Sequence, residues 1–118
     1  MQIETRLSDQ LERYLDMAVS ETKLTAMNMA NVDTPGYQTQ GFEFEAEMRR
    51  ALAGVDTGRA TSIAVHNVDG LISRPDENNV SMDREGLNLA EAQLKFKAGV
   101  ALLRLENQRV MDAIHADK

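Results

Sequence analysis

Two long amphipathic runs, one toward each end of the chain, constrain the fold more than any other feature. Between Glu4 and Val32 there is no glycine or proline, and Leu7, Leu11, Tyr14, Ala18, Thr25 and Met29 recur close to a three-four spacing, with Ile3 and Leu15 alongside. This pattern predicts one helix over residues 4–32. A second run, residues 81–115, carries Leu87, Ala90, Leu94, Ala98, Ala101, Leu105 and Gln108 at heptad-like intervals, with Met111 and Ile114 near its end. Ser81 is suited to cap it, and Asp83 and Glu85 suit the positive end of its dipole. At 1.5 Å per residue the first helix would be roughly 40 Å long, too long to persist in water with its apolar stripe bare. Each run is the natural partner of the other. The expected fold is mainly α: N- and C-terminal helices packed as an antiparallel, coiled-coil-like hairpin. Small residues, Ala18 and Ala26 on one side and Ala90, Ala98 and Ala101 on the other, would allow close approach.

Residues 33–80 read as a turn-rich connecting segment, partly β or disordered. Residues 42–53 fit a short amphipathic helix, and 54–58 have loop composition. Thr61 to Val65 and Leu71 to Ser73 fit two short strands joined through Asp69-Gly70, a dipeptide that readily takes positive φ. With 118 residues and no internal repeat, residues 1–118 make one domain.

Composition excludes several classes of function. Aromatic residues make up only 4% of the chain and there is no Trp, so the core must come from Leu, Met, Ala, Val and Ile. Met17, Met27, Met29, Met82 and Met111 are expected as core filler within the helix patterns. The formal net charge of -6 opposes binding to nucleic acid or to anionic lipid. The absence of Cys removes disulfides, thiolate metal sites and cysteine nucleophiles together. No stretch is long and apolar enough to insert in a bilayer, and the first residues lack the apolar core of a signal peptide.

Catalytic chemistry finds no support. His66 and His115 are not at ligand spacing, so no metal site is expected. Glu43, Glu45 and Glu47 alternate around a short helix without converging, which predicts a solvated acidic face. The basic residues Arg49, Arg50 and Arg59 read as solvated surface. No phosphate loop, nucleophile elbow or cofactor motif is present.

The most informative run is Asn28-Met29-Ala30-Asn31-Val32-Asp33-Thr34-Pro35-Gly36-Tyr37. Pro35 forces Thr34 out of helical geometry and cannot donate a backbone hydrogen bond, and Pro-Gly supplies the backbone angles of a type II turn. Asn31 and Asp33 can bond free backbone groups at the helix end, and Tyr37 can bury its ring while its hydroxyl stays paired. Read by physics alone, this is a helix stop followed by a change of direction.

That run also resembles the Ala-Asn-x-x-Thr-Pro-Gly-Tyr signature of flagellar rod, hook and hook-associated proteins, with Ala30, Asn31, Thr34, Pro35, Gly36 and Tyr37 at its six fixed positions. Asn78-Asn79-Val80, with the residues that follow through Glu85, is similar to the segment preceding the C-terminal helix in the small proximal rod members of that family. Gln93 to Ala98 is similar as well. Only residues 33–80 separate the helices, leaving no room for the large β-rich insertions of hook and distal rod proteins.

The resemblance implies a structural subunit of the basal-body rod, without cofactor. Such a subunit is exported unfolded through the flagellar type III apparatus without a cleavable signal peptide, and joins a helical lattice in the periplasmic space. Its implied partners are other copies, the remaining proximal rod proteins, the rod-to-membrane-ring adaptor and the export apparatus. The helix-packing residues expected in the hairpin are Leu7, Leu11, Tyr14, Ala18 and Met29 against Leu87, Leu94, Ala98, Ala101 and Leu105. Two other readings are another flagellar axial or adaptor protein and an unrelated coiled-coil binding module such as a secretion chaperone.

Overall fold

The computed structural model describes residues 5–57 and 62–116. The element order is α1 (Arg6–Ala30), β1 (Gln40–Gly41), α2 (Phe44–Thr57), β2 (His66–Asn67) and α3 (Met82–His115). The described residues extend over 69 × 26 × 21 Å.

Helix α1 starts at Thr5, whose hydroxyl accepts the Ser8 amide hydrogen at 3.0 Å. It ends at Ala30 with Asn31 as its cap, three residues before the proline-restricted Thr34 and short of the expected end at Val32, while the expected start at Glu4 lies outside the described residues. Helix α3 begins as its sequence suggests, with the Ser81 hydroxyl accepting the Arg84 amide at 3.3 Å. The two helices run antiparallel. Thr5 meets Glu106 at one end, Lys95 meets Glu21 in the middle, and Asn28 meets Glu85 at the other end.

The α3 seam is not the heptad stripe. Glu85, Ala92, Gly99 and Glu106 are its buried residues, whereas Leu87, Leu94 and Leu105 are 63%, 69% and 66% exposed, and Ala98 and Ala101 are also exposed. Leu87, Leu94 and Ala101 follow Glu85, Ala92 and Gly99 by two residues, about 200° of helix rotation, and Ala98 and Leu105 precede Gly99 and Glu106 by one, about 100°, so the heptad stripe lies outside the contact with α1. Gly99 explains the choice. A Cβ there would lie 2.7 Å from Leu15 Cδ2 and 3.0 Å from Tyr14 Cδ1, so the glycine face is the one that admits α1. On α1, Leu11, Ala18 and Thr25 are buried and Tyr14 and Met29 half-buried as expected, but Leu7 is exposed. Of the methionines, Met17 is buried, whereas Met27, Met82 and Met111 are exposed and are not core filler.

Helix α2 covers one side of α1. The Phe44 ring meets Tyr14 edge-on, with centroids 5.7 Å apart, and Lys95 Nζ of α3 lies 3.8 Å above the same ring. Arg49 bonds the exposed Glu45, and Arg50 reaches the Ser62 carbonyl and Glu47, which is buried and so departs from the solvated acidic face expected of Glu43, Glu45 and Glu47. Arg59 lies outside the described residues.

The expected strand pair at Thr61 to Val65 and Leu71 to Ser73 does not form among the described residues, and Thr61 lies outside them. Val65 and Ile72 are exposed, so such a hairpin would have no buried face to hold it. Instead, β2 pairs antiparallel with β1, Gln40 opposite Asn67 and Gly41 opposite His66. A Cβ on Gly41 would lie 2.8 Å from Val68 Cγ2, so glycine lets the two backbones meet. Gly70 does take positive φ, at 80°.

Thr5 and Glu106 close the far end of the hairpin. The Thr5 hydroxyl that caps α1 also donates to Glu106 Oε1 at 2.8 Å, and Arg109 donates from Nε and Nη2 to the same carboxylate. The Arg109 hydrogen bonds, then that of Thr5, hold the Glu106 carboxyl down at about 2 from its ordinary 4.5. A carboxyl depressed in the fold contributes stability that is complete above pH 4.5 and is lost as pH falls toward 2. Acid titration of the thermal midpoint should therefore drop across that window. Glu106→Gln should flatten that part of the drop, and an unchanged acid limb in the variant would contradict the account.

Candidate functional site

Three stretches distant in sequence meet where α1 ends and α3 begins. Gly36 has φ 76°, the left-handed geometry that the Pro-Gly turn requires, and its amide donates to the Asp76 carbonyl at 2.8 Å. The turn thereby lies against the segment leading into α3.

Asn78 and Asn79 hold the turn in place. Asn78 is completely buried, and its Nδ2 donates to the carbonyls of Asn31 and Thr34, both at 2.8 Å, while its Oδ1 accepts the Val80 amide. The Asn31 carbonyl belongs to a group of helix-end acceptors that α1 leaves free, so Asn78 acts as a remote C-terminal cap. Asn79 Oδ1 accepts the Thr39 amide at 2.7 Å and its Nδ2 donates to Gln38 Oε1, tying down the strand that leaves the turn. Arg74 adds guanidinium hydrogen bonds to the carbonyls of Val32 and Val80. Val80 is buried beside them.

Beneath this clasp lies a second polar layer. Asn28, buried inside α1, donates from Nδ2 to the Gln40 carbonyl at 2.8 Å and to Glu85 Oε2 at 3.1 Å. Its Oδ1 accepts the Tyr37 hydroxyl at 2.9 Å and the Gln40 amide at 3.0 Å. Glu85 is completely buried and takes its remaining hydrogen bond from Arg84 Nη1 at 2.5 Å. Burial, then the Glu85 charge, pushes the Tyr37 phenol above its usual 10.0, so Tyr37 remains a donor to Asn28. Within the turn itself, Thr34 Oγ1 donates to Asn31 Oδ1, and Asn31 Nδ2 donates back to the Met27 carbonyl. Ala30, Pro35 and Gly36 are exposed and contribute backbone shape.

All the polar residues singled out in the turn run and in the Asn78-Asn79 pair therefore converge here, except Asp33, which is exposed. Two members were named without this role: Asn28, at the head of the turn run, and Glu85, read as a dipole partner at the start of α3, are 57 residues apart and meet in a buried hydrogen bond. These hydrogen bonds fix a backbone junction, and the Thr39 hydroxyl is the one buried side-chain oxygen among the described residues left without a partner; His66 is exposed and pairs with Gly41 at the edge of the site, and His115 is exposed near the end of α3. Among the described residues no group of three metal-ligating side chains converges, and no helix is long and apolar enough to cross a membrane.

The second feature is the outer face of α3. Leu87, Leu94, Ala98, Ala101 and Leu105 form an exposed heptad stripe, with Leu102 along its edge. A surface this regular matches the contact face of a helix in a coiled coil.

No family model matches the chain. Several curated proteins are similar to it over most of their length. The flagellar basal body rod protein FlgB of Cereibacter sphaeroides is 30% identical, with 96% of this chain and 99% of that protein aligned. FlgB of Borrelia hermsii is also 30% identical, over 75% of this chain and 80% of its own length. FlgB of Salmonella typhimurium is 28% identical, over 87% of this chain and 88% of its own.

Proposed function

Because the chain belongs to the FlgB family of flagellar basal-body rod proteins, we propose that it is a structural subunit of the proximal rod that polymerises with other rod proteins into the axial drive shaft. The observation that carries this reading is the outward heptad of α3. The large apolar side chains of α3 sit outside the hairpin, while its own contribution to the seam is small or polar, Glu85, Ala92, Gly99 and Glu106, set against Leu11, Met17, Ala18, Thr25 and Asn28 of α1. Assembly with neighbouring helices removes the outer stripe from water, at about 25 cal/mol per Å² of apolar surface buried.

The same distribution supports export through the flagellar type III apparatus in an unfolded state. A hairpin with a thin apolar seam is inexpensive to unfold and gains the rest of its burial on joining the lattice. In this reading residues 1–118 act as one axial domain without catalytic activity. Its partners are further copies in a helical lattice, the other proximal rod proteins, the adaptor to the membrane ring and the export apparatus. Its place is the rod in the periplasmic space. Heterologous contacts that do not close generate such a tube.

Deletion of the gene in a motile host tests the proposal. The expected result is loss of swimming and basal bodies with no rod beyond the membrane ring, both restored by the intact gene. Normal rods in the deletion strain would overturn it.

A further inference from the structure

A stripe of Leu and Ala supplies affinity but little register, because sliding a helix along it by one heptad recreates similar contacts. The assembly proposed above therefore needs polar contacts that fix the stagger between copies. A trough on the hairpin, with no α2 residue in its lining, offers them. Val19, Thr22 and Lys23 of α1 and Gln93, Phe96 and Lys97 of α3 enclose about 400 Å³, almost entirely apolar along its floor. Lys95, two residues before Lys97, is bound to Glu21 and Phe44. Lys23 and Lys97, by contrast, have no ion pair among the described residues. Two cations without an ion pair thus flank an apolar floor on a chain of net charge -6.

The chain also carries the complementary surface. Asp9, Glu12 and Asp16 follow one another at spacings of three and four, so they share one face in the first half of α1, where three carboxylates outnumber the single cation, Arg13, at the same spacings. None has an ion pair among the described residues. Glu12 and Lys23 are about 11 residues apart on one helix, roughly 16 Å along its axis. Resting on the rod-subunit reading, we propose that the Lys23–Lys97 trough receives the Asp9–Glu12–Asp16 strip of a second copy of this chain. The apolar stripe of α3 supplies adhesion, and this charge pairing selects the stagger.

Charge exchange in the full chain, followed by sedimentation velocity, tests the pairing. Wild-type association should weaken on raising salt from low to several hundred millimolar, as exposed charges are screened. Reversal in Lys23→Glu/Lys97→Glu, or in Glu12→Lys/Asp16→Lys, should weaken self-association about tenfold with circular dichroism unchanged. An equimolar mixture of the two variants should recover it, because each then offers what the other lacks. A folded lysine-reversal variant that associates like wild type, or a mixture that does not recover, would overturn the inference. Measuring Leu94→Gln/Leu105→Gln in the same series separates the two readings. Association lost there but untouched by lysine reversal leaves the assembly reading standing and removes the trough. A wild-type chain that stays monomeric at every concentration removes both.

Discussion

Asn28→Asp should destabilise the folded chain by about 3–5 kcal/mol in urea unfolding, the largest effect of any single substitution outside the apolar seam. The replacement has nearly the same shape, so packing is conserved and only the chemistry changes. Asn28 Nδ2 is the donor that satisfies one oxygen of the completely buried Glu85 carboxylate. Aspartate removes that donor and sets a second carboxylate against the first, so one of the pair must take up a proton or the junction must open. The Gln40 carbonyl loses its donor at the same time. A domain of this size has roughly 5–15 kcal/mol in total, so much of its stability is at stake. Asn28→Ala should cost a comparable amount, because it leaves the Tyr37 hydroxyl, the Gln40 amide and Glu85 short of partners in a buried site. A change below about 1 kcal/mol for both variants would mean that the polar layer is dispensable.

Leu94→Gln/Leu105→Gln should do the opposite, leaving the fold intact while abolishing assembly. Both side chains are about two-thirds exposed, and glutamine matches leucine closely in helix propensity, so the hairpin loses little. In a lattice that buries the stripe, each leucine contributes on the order of 1–2 kcal/mol beyond its present burial. Losing both weakens each contact by about 2–4 kcal/mol, roughly 30-fold to 1000-fold in association. Circular dichroism and sedimentation on the same sample separate the two effects.

What could be read in advance was the chemistry that is local in sequence. The Ser81 cap, the left-handed Gly36, the paired Tyr37 hydroxyl and the termination of α1 before Pro35 each depend on residues a few positions apart. The antiparallel hairpin followed from the length of two stripes that could not stay bare. Which side of α3 meets α1 was not legible. Heptad periodicity reveals that a helix has an apolar face, but not whether its own chain or another molecule covers it. The choice rests on Gly99, whose missing side chain makes room for Leu15 and Tyr14, and on the Thr5–Glu106 hydrogen bond and Lys95–Glu21 ion pair across the seam.

The clasp was half legible for a related reason. Turn chemistry marked Asn31, Thr34 and Gly36, yet Asn78 reaches Asn31 and Thr34 across more than 40 residues, a contact that no local rule encodes. In the middle segment, the Asp69-Gly70 dipeptide suggested a hairpin joining Thr61 to Val65 with Leu71 to Ser73, but β pairing needs a covered face, and the backbone found its partner beside Gly41 instead.

Electron microscopy of basal bodies from a deletion strain carrying Leu94→Gln/Leu105→Gln tests the central claim most directly. The account predicts a folded variant that accumulates in the cell while its basal bodies stop at the membrane ring, without a rod and without swimming. Complete rods in a swimming strain would show that the outer face of α3 is not what joins this subunit to its neighbours.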